Sequence, residues 1–434
     1  MHHKKVMNYM ILTKILLVVS LITFLSYLLW FSIFYLIRNK NVKCETKNIP
    51  YNLFIMVPLL NEENTVNSYV KNMITELNKL RKNIKTNIVL INDGSDDHTL
   101  ARLTKMQHTI VSPHTNIYVL NRVLPNARTG KGSALNYGLN FIQNLPSKYD
   151  KTHTIIGIVD ADGFISAKHI KMVIGTFENN SVGMVQTAVS MNSTSHNWLS
   201  KMQDVEFLGA NSFMQESRNT IGQAIASGNG QFTTLEMAVA VKWGNSLLED
   251  FEFTIRGLLQ GFKTIFLPQA IVYQEAVRKI VPLWKQRIRW CEGSMQCWIK
   301  YSKQLFLSPL VKNIVKIDML LFLTMPFISM LLNIANSVSA IMQFNNIFKQ
   351  KLLPVVMVFI IVLMFTLFVW SLIGLEYHQN DHQRSVFTCI FLAWQCIVYN
   401  FILSYIPYFA FTYLITGRVK WDKTAHAQAA HATN

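Results

Sequence analysis

Charge is scarce in this chain and unevenly signed. Only 15% of its 434 residues are charged, and 24 acidic side chains stand against 41 basic ones, for a formal net charge of +17. Length alone predicts two or three soluble domains, and this composition overrides that expectation. A positive balance can mark nucleic-acid binding. No block of Arg and Lys alternates with aromatics as a stacking platform for bases requires, so no nucleic-acid partner is expected. Cysteine is sparse too. Cys44, Cys291, Cys297, Cys389 and Cys396 are odd in number, lack a CxxC and fit free thiols in a reducing, cytosolic setting. There is no internal repeat, and no low-complexity segment beyond a polar, Ala/His-containing tail.

What is abundant is apolar surface: half the residues are hydrophobic, and they cluster at the two ends. Met10 to Ile37 carries one charge, Lys14, and exceeds the about 20 residues that cross a bilayer. It is too long for a signal-peptide core, and no small-residue cleavage site follows. Arg38, Lys40, Lys43 and Lys47 favour a cytoplasmic place for what comes next, although His2, His3, Lys4 and Lys5 compete from the other side.

Three more apolar stretches lie near 314–342, 353–375 and 386–416. The last two read as spans. The first contains Pro326, Asn333 and Asn336 and fits a span, a re-entrant hairpin or an interfacial helix. If all three crossed, the tail would lie outside, yet Arg418, Lys420 and Lys423 favour the inside. The expectation is therefore about three full spans in the whole chain, with 314–342 partly inserted. The excess of basic residues then faces anionic lipid headgroups, and in part an anionic substrate. The chain divides into an N-terminal transmembrane helix (1–47), a cytosolic middle (48–300) and C-terminal interfacial and transmembrane helices with a short basic tail (301–434).

The middle alternates strands and helices. Asn52 to Pro58 reads as a strand, Asn61-Glu62-Glu63-Asn64-Thr65 as a helix start with acidic residues in its first turn, and the helical pattern runs to about Leu80. Asn87 to Ser95 is a second strand ending at Asp93-Gly94, so the unit is parallel. The run Ile155 to Gly163 is an apolar strand that stops at Asp160-Ala161-Asp162-Gly163. Ligands of such sheets gather at the carboxyl ends of strands, so Pro58, Asp93, Asp160 and Asp162 should border one crevice. Asp160 and Asp162 can hold Mg²⁺ or Mn²⁺ together with phosphate oxygens, although the same residues also make a good surface turn. The continuation Phe164-Ile165-Ser166 excludes an EF-hand. Asp93 reads as a turn and cap residue or as a partner for a nucleoside base or ribose. Gly130-Lys131-Gly132 opens a helix in a way that suits a diphosphate, without being a P-loop.

Gln186 to Glu216 reads as a strand and a long helix with Trp198, Met202, Phe207 and Phe213 in the core. Ala226 to Phe232 is glycine-rich, so backbone can approach a sugar closely. Glu249-Asp250 starts a helical pattern, and Asp250 can serve as a proton acceptor. Trp284 to Trp290 reads either as a basic collar at the headgroups or as the floor of a site, with Arg289 on phosphate and the Trp290 indole on a sugar ring.

As an ordered set, Asp93, Asp160-Ala161-Asp162, Glu249-Asp250 and Gln286-x-x-Arg289-Trp290 resemble the D, DxD, (T)ED and QxxRW signature of membrane-embedded family 2 glycosyltransferases, which include cellulose, hyaluronan, chitin and poly-N-acetylglucosamine synthases. Val57-Pro58, Asn61-Glu62, Asn92-Asp93-Gly94-Ser95 and Gly130-Lys131-Gly132 add matches, as does Trp421-x-Lys423-Thr424-x-His426 in the tail. The resemblance implies an α/β fold of GT-A type, a Rossmann-like nucleotide-diphospho-sugar transferase domain inserted between transmembrane helices, and inverting transfer from a UDP-sugar. It implies that Pro58, Glu62, Asp93, Lys131 and Asp160 bind the nucleotide-sugar, with Asp93 on the uridine. Asp162 would hold Mg²⁺ or Mn²⁺, and Asp250 would be the catalytic base. Gln286, Arg289 and Trp290 would line the acceptor and pyrophosphate.

Leu248 stands where the signature has threonine, and the segment Gly228 to Phe232 departs from the cellulose and poly-N-acetylglucosamine enzymes. The implied product is a growing β-linked polysaccharide of a hexose or N-acetylhexosamine. The alternative is a glycolipid made by adding one sugar to a membrane lipid such as diacylglycerol or ceramide. The implied setting is the cell membrane, multi-pass, with the catalytic domain in the cytoplasm. Membrane lipids would surround it, and a second copy or accessory secretion subunits would be its partners.

Overall fold

The computed structural model describes residues 2–38, 42–110, 112–146, 149–191, 197–347, 352–381 and 383–417. Helix α1 (His2–Leu36) leads into β1 (Tyr51–Leu59), α2 (Val66–Leu77), β2 (Ile84–Asp93), α3 (Thr99–Thr109), β3 (Thr115–Arg122), α4 (Lys131–Gln143) and β4 (Thr154–Ile158). There follow β5 (Phe164–Ile165), α5 (Ala167–Asn179), β6 (Met184–Met191) and α6 (Trp198–Asp204), which runs through a π-helical stretch, Val205–Asn211, into α7 (Ser212–Ile221). Next come β7 (Gln231–Thr234), α8 (Leu235–Val241), α9 (Glu249–Leu259) and β8 (Thr264–Gln274). Five helices close the described chain: α10 (Ile280–Leu307), α11 (Asn313–Ile347), α12 (Leu352–Asp381), α13 (Val386–Leu403) and α14 (Ile406–Thr416).

The eight strands form one mixed sheet in the order β3-β2-β1-β4-β7-β6-β8-β5. Strands β1 to β4 are parallel, and β7 runs antiparallel to both β4 and β6. A strand covered by helices on both faces needs apolar side chains at successive positions. Accordingly, Leu53, Ile55 and Val57 of β1 pack with α2, α3 and α5, while Phe54 and Met56 pack with α4, α8 and α9. The chain leaves β1 to build β2 and β3 on one side and returns on the other as β4. The strand order therefore reverses at β1 and opens a crevice at the carboxyl ends.

Several sequence expectations shift. Helix α2 begins at Val66, so Glu62 and Glu63 lie in the turn before it rather than in its first turn, and it ends at Leu77. The long helix after β6 is interrupted by the π-helical winding, a departure that sequence periodicity does not reveal. Met202 and Phe213 are buried as expected. Trp198 is not a core residue: it is 40% exposed at the first position of α6, where its Nε1 donates to Gln395 Oε1 on α13. Phe207, on the π-helical stretch, is only half-buried and faces a cavity.

Among the described residues, three segments are long and apolar enough to cross a membrane: Asn313–Ala335, Phe359–Asp381 and Val386–Thr416. A shorter apolar segment is Leu21–Leu36 of α1. Helix α11 passes Pro326 without reversing, which excludes the re-entrant hairpin. The 386–416 stretch breaks at Ser404 and Tyr405 into α13 and α14. All five cysteines are free. Lys40, Arg418, Lys420 and the tail motif from Trp421 to His426 lie outside the described residues.

Candidate active site

Asp93 is the last residue of β2 and is buried. The parallel register sets Arg122 of β3 opposite it, and the guanidinium forms an ion pair with its carboxylate. Arg128 N–H donates to Asp93 Oδ1 at 3.1 Å. The Arg122 guanidinium also donates to Ser133 Oγ at 2.7 Å and Thr129 Oγ1 at 3.2 Å, tying the loop before α4 to the strand ends. Burial lifts the Asp93 carboxyl above its usual range against the pull of these donors.

Asp160 and Asp162 lie in the turn after β4, closed by Gly163 N–H donating to the Asp160 carbonyl at 2.8 Å. Lys131, at the first position of α4, reaches back to Asp160 Oδ1 at 2.6 Å and to the Gly228 carbonyl at 3.0 Å. Burial alone would lower its pKa, but Asp160, Glu249 and Asp250 together raise it, so the ammonium stays charged. Among the described residues, no group of three or more His, Cys, Asp or Glu is placed to hold a metal. The two aspartates offer hard oxygen donors that suit Mg²⁺ or Mn²⁺ only when phosphate oxygens and water complete the shell.

Asp250 sits in the first turn of α9, buried, with its Oδ1 accepting Phe251 N–H at 2.7 Å. Burial and then the neighbouring Glu249 push its pKa up to about 7, with Lys131 opposing. Burial raises Glu249 as well, against Lys131 and Arg289. Gly228 closes over this carboxylate at φ +75°, and a Cβ there would stand 3.0 Å from Asp250 Oδ2. A side chain there would be strained in conformation and tight against the carboxylate.

Helix α10 brings Gln286, Arg289 and Trp290 to the same space. The Trp290 ring lies edge-on to Phe207, with centroids 6.0 Å apart. Arg287 rather than Arg289 covers the indole, 4.3 Å from its centroid and 5.3 Å from that of Phe207. Glu206 of the π-helical stretch holds Arg287 at 2.7 Å and accepts Tyr399 Oη of α13 at 2.8 Å.

One cavity of about 1080 Å³ joins the carboxylates, Lys131 and the α10 motif. Pro58, Glu62, Asp93, Lys131, Asp160, Asp162, Asp250, Gln286, Arg289 and Trp290, every site residue expected from the sequence, line it. Sequence reasoning missed Arg122, Arg218, Glu206 and the covering role of Arg287. Arg287 was visible inside the Trp284–Trp290 motif, whereas Glu206 depends on the π-helical winding. Beyond the carboxylates the cavity continues among α1, α11, α12 and α13.

A family profile described as "Glycosyltransferase like family 2" matches residues 50–293, more than half of the chain. A beta-monoglucosyldiacylglycerol synthase of Synechocystis sp. is 26% identical over 287 residues, covering 65% of this chain and 56% of that protein. A synthase of the same name from Nostoc sp. is 28% identical over 253 residues, covering 57% and 50%. A poly-beta-1,6-N-acetyl-D-glucosamine synthase of Staphylococcus aureus is 24% identical over 245 residues, covering 55% and 54%. The chain thus spans about half the length of the curated relatives it matches. Among solved structures, a mannosyltransferase of Pyrobaculum calidifontis in complex with GDP-Man and Mn²⁺ superimposes with a TM-score of 0.63 at 14% identity, covering 94% of this chain and 99% of that one. That likeness is one of fold, and the mixed sheet with its strand-end crevice is of GT-A type. By the profile match, the chain belongs to the family 2 glycosyltransferases and is an enzyme of that class.

Proposed function

We propose that the protein transfers one sugar from a UDP-sugar to a hydroxyl of a membrane lipid, inverting the anomeric carbon. The observation that supports the acceptor is the continuation of the cavity. From Asp250 and Lys131 the same space runs between the long helices, walled by Phe24, Leu28, Met325, Leu332, Val362 and Leu403. Acyl chains suit these apolar side chains, although Ser329, Asn333, Asn400 and Ser404 also line this part of the cavity. Two of the relatives described above carry a glycolipid-synthase name, which agrees with this reading.

Asp93, with Pro58 and Glu62 beside it, would hold the uridine. Asp160 and Asp162 would hold Mg²⁺ or Mn²⁺, and such a cation, when bound, offsets charge on the diphosphate. Asp250 takes the proton from the acceptor hydroxyl, whose oxygen attacks the anomeric carbon. The bond from that carbon to the diphosphate oxygen breaks, and its electron pair leaves with UDP. Lys131 faces the departing diphosphate, Gln286 and Arg289 flank it, and Trp290 lines the acceptor. In this reading residues 48–300 form the catalytic domain on the cytoplasmic side, and α1 with the C-terminal helices anchors it.

A second reading, extension of a β-linked polysaccharide, draws on Phe207, Trp290 and Trp370, whose rings border the cavity as sugar-stacking faces. A second copy or a secretion subunit would belong to that reading. Membranes containing the protein, given radiolabelled UDP-glucose or UDP-N-acetylglucosamine with Mg²⁺ or Mn²⁺, separate the two. A chloroform-soluble product of fixed size supports lipid transfer. Product that stays at a gel origin and lengthens with time replaces that reading with the second.

A further inference from the structure

The strand ends fix the order of groups along the polar part of the cavity. Asp93 ends β2, Pro58 lies next to the end of β1, and Asp160 follows β4. Strand β7, antiparallel to β4 and β6, begins at the same edge just after Gly228. Beyond it, β6 ends at Met191 and β8 at Gln274, two residues in register with each other. Gln274 lines the cavity, as does Asn229 of the loop before β7. An extended nucleotide-sugar with its base at β2 and its diphosphate at Asp160 therefore carries its sugar toward β7 and β8, where Gln274 stands.

The hydrogen bonds around Gln274 set which end of its amide is occupied. A backbone N–H can only donate, so Asp160 N–H, 3.3 Å from Asn229 Oδ1, fixes the oxygen of the Asn229 amide on that side. Its Nδ2 then donates to Gln274 Oε1 at 2.9 Å. Asn229 is 2% exposed and firmly held, because its carbonyl accepts Gln186 Nε2 at 2.9 Å and the following Gly230 N–H donates to the Ile158 carbonyl at 2.9 Å. The oxygen of the Gln274 amide is thus engaged. Its Nε2 carries two N–H groups and, among the described residues, meets the Met191 thioether at 3.7 Å, which is a weak acceptor. At the cavity wall, two hydrogen bonds away from Asp160, a half-buried neutral amide therefore has an N–H to give to a stronger acceptor. A site built to hydrogen-bond a substrate hydroxyl rejects the analogue that lacks it far more strongly than an apolar pocket rejects a change of shape.

We propose that Gln274 is a specificity-determining residue for the donor sugar, its Nε2 donating to one oxygen substituent of the hexose, a hydroxyl or an N-acetyl carbonyl, while Asn229 fixes the amide. The contact is to the sugar and not to the nucleotide. This inference rests on the UDP-sugar reading and holds for either acceptor.

The test measures binding to the full-length protein in detergent with Mn²⁺, by calorimetric titration of UDP, UDP-glucose and UDP-N-acetylglucosamine. The tighter of the two UDP-sugars is then compared with its analogues lacking the substituent oxygen or acetamido group at C2, C3, C4 or C6. For the wild type, one analogue is expected to bind about tenfold more weakly than its parent, the order of one well-placed hydrogen bond. Gln274→Met keeps the length of the side chain and removes the donor. It should weaken the parent UDP-sugar by about tenfold, leave UDP binding unchanged, and bring the parent and the sensitive analogue to equal affinity. Gln274→Ala is the second variant, to be read in the same way if Gln274→Met no longer binds UDP. Equal binding of all analogues by the wild type overturns the contact and leaves the UDP-sugar reading standing. So does an analogue penalty that survives in the variant, or a parallel loss of UDP and UDP-sugar binding in both variants, which would make Gln274 a residue of the fold. Failure of the wild type to bind either UDP-sugar overturns the UDP-sugar reading and this inference with it.

Discussion

Lys131 Nζ lies 2.6 Å from Asp160 Oδ1 and donates to the Gly228 carbonyl at 3.0 Å, so one cation joins the turn after β4 to the loop that covers Asp250. This places a positive charge between the expected metal-holding aspartates and the expected base. In Lys131→Met that charge is lost, and the donor diphosphate loses an electrostatic partner. The expected outcome is a rise of at least tenfold in the KM for the sugar nucleotide, together with a lower kcat. Steady-state kinetics with varied donor check it, and an unchanged KM would show that Lys131 serves only to tie the two loops.

Asp250 gives a pH dependence of defined sign. A general base must be unprotonated to accept the acceptor's proton, and burial with Glu249 puts its pKa at about 7. kcat/KM should therefore climb with pH through that value and level off above it. Because Lys131 opposes the shift, Lys131→Met should move the climbing limb to higher pH. Asp250→Asn should reduce transfer by at least a hundredfold at every pH while UDP binding persists. A flat profile in the wild type, or turnover retained in Asp250→Asn, removes Asp250 from this role.

Gly228→Ala tests the closeness of backbone to the carboxylate. The residue sits at φ +75°, and the added methyl would stand 3.0 Å from Asp250 Oδ2 and 3.6 Å from Lys131 Nζ. The backbone penalty alone is about 1 kcal/mol, small enough for the protein to fold. Activity should fall more than tenfold while the thermal midpoint drops by only a few degrees. If activity and stability instead decline in proportion, the glycine matters for the fold and not for the placement of Asp250.

The sequence revealed the parts of this architecture whose signals are local. Strands β1, β2 and β4 each carry an apolar run, and Pro58, Asp93 and Asp160, at or just past their carboxyl ends, line the cavity. Helix starts at Lys131 and Glu249 follow from glycine and acidic residues at those positions. What escaped depends on distant pairing. Arg122 meets Asp93 only through the register of β3 on β2. Arg218 meets Asp318 across 100 positions of sequence. Trp198 has the look of a core residue, but its place at the start of α6 turns it toward Gln395 on α13. The π-helical winding that presents Glu206 and Phe207 to the cavity has no period that a helical pattern would betray.

That winding bears on the wall formed by Trp290. Arg287 is nearly buried between the Phe207 and Trp290 rings, and its charge is answered by Glu206, which Tyr399 also holds from α13. A desolvated guanidinium over an indole is worth about 2 kcal/mol, and the planar group presents a face that an ammonium cannot. Arg287→Met should therefore loosen Trp290 and raise the acceptor KM by about tenfold, with the donor KM unchanged. Arg287→Lys should recover only part of the loss. If the arginine acts through the indole, Trp290→Leu and Arg287→Met will not add, and their double variant will be little worse than Trp290→Leu alone. Full additivity in that cycle would mean that Arg287 touches the acceptor by itself, and the coupling between α13, the π-helical stretch and Trp290 would carry no catalytic weight.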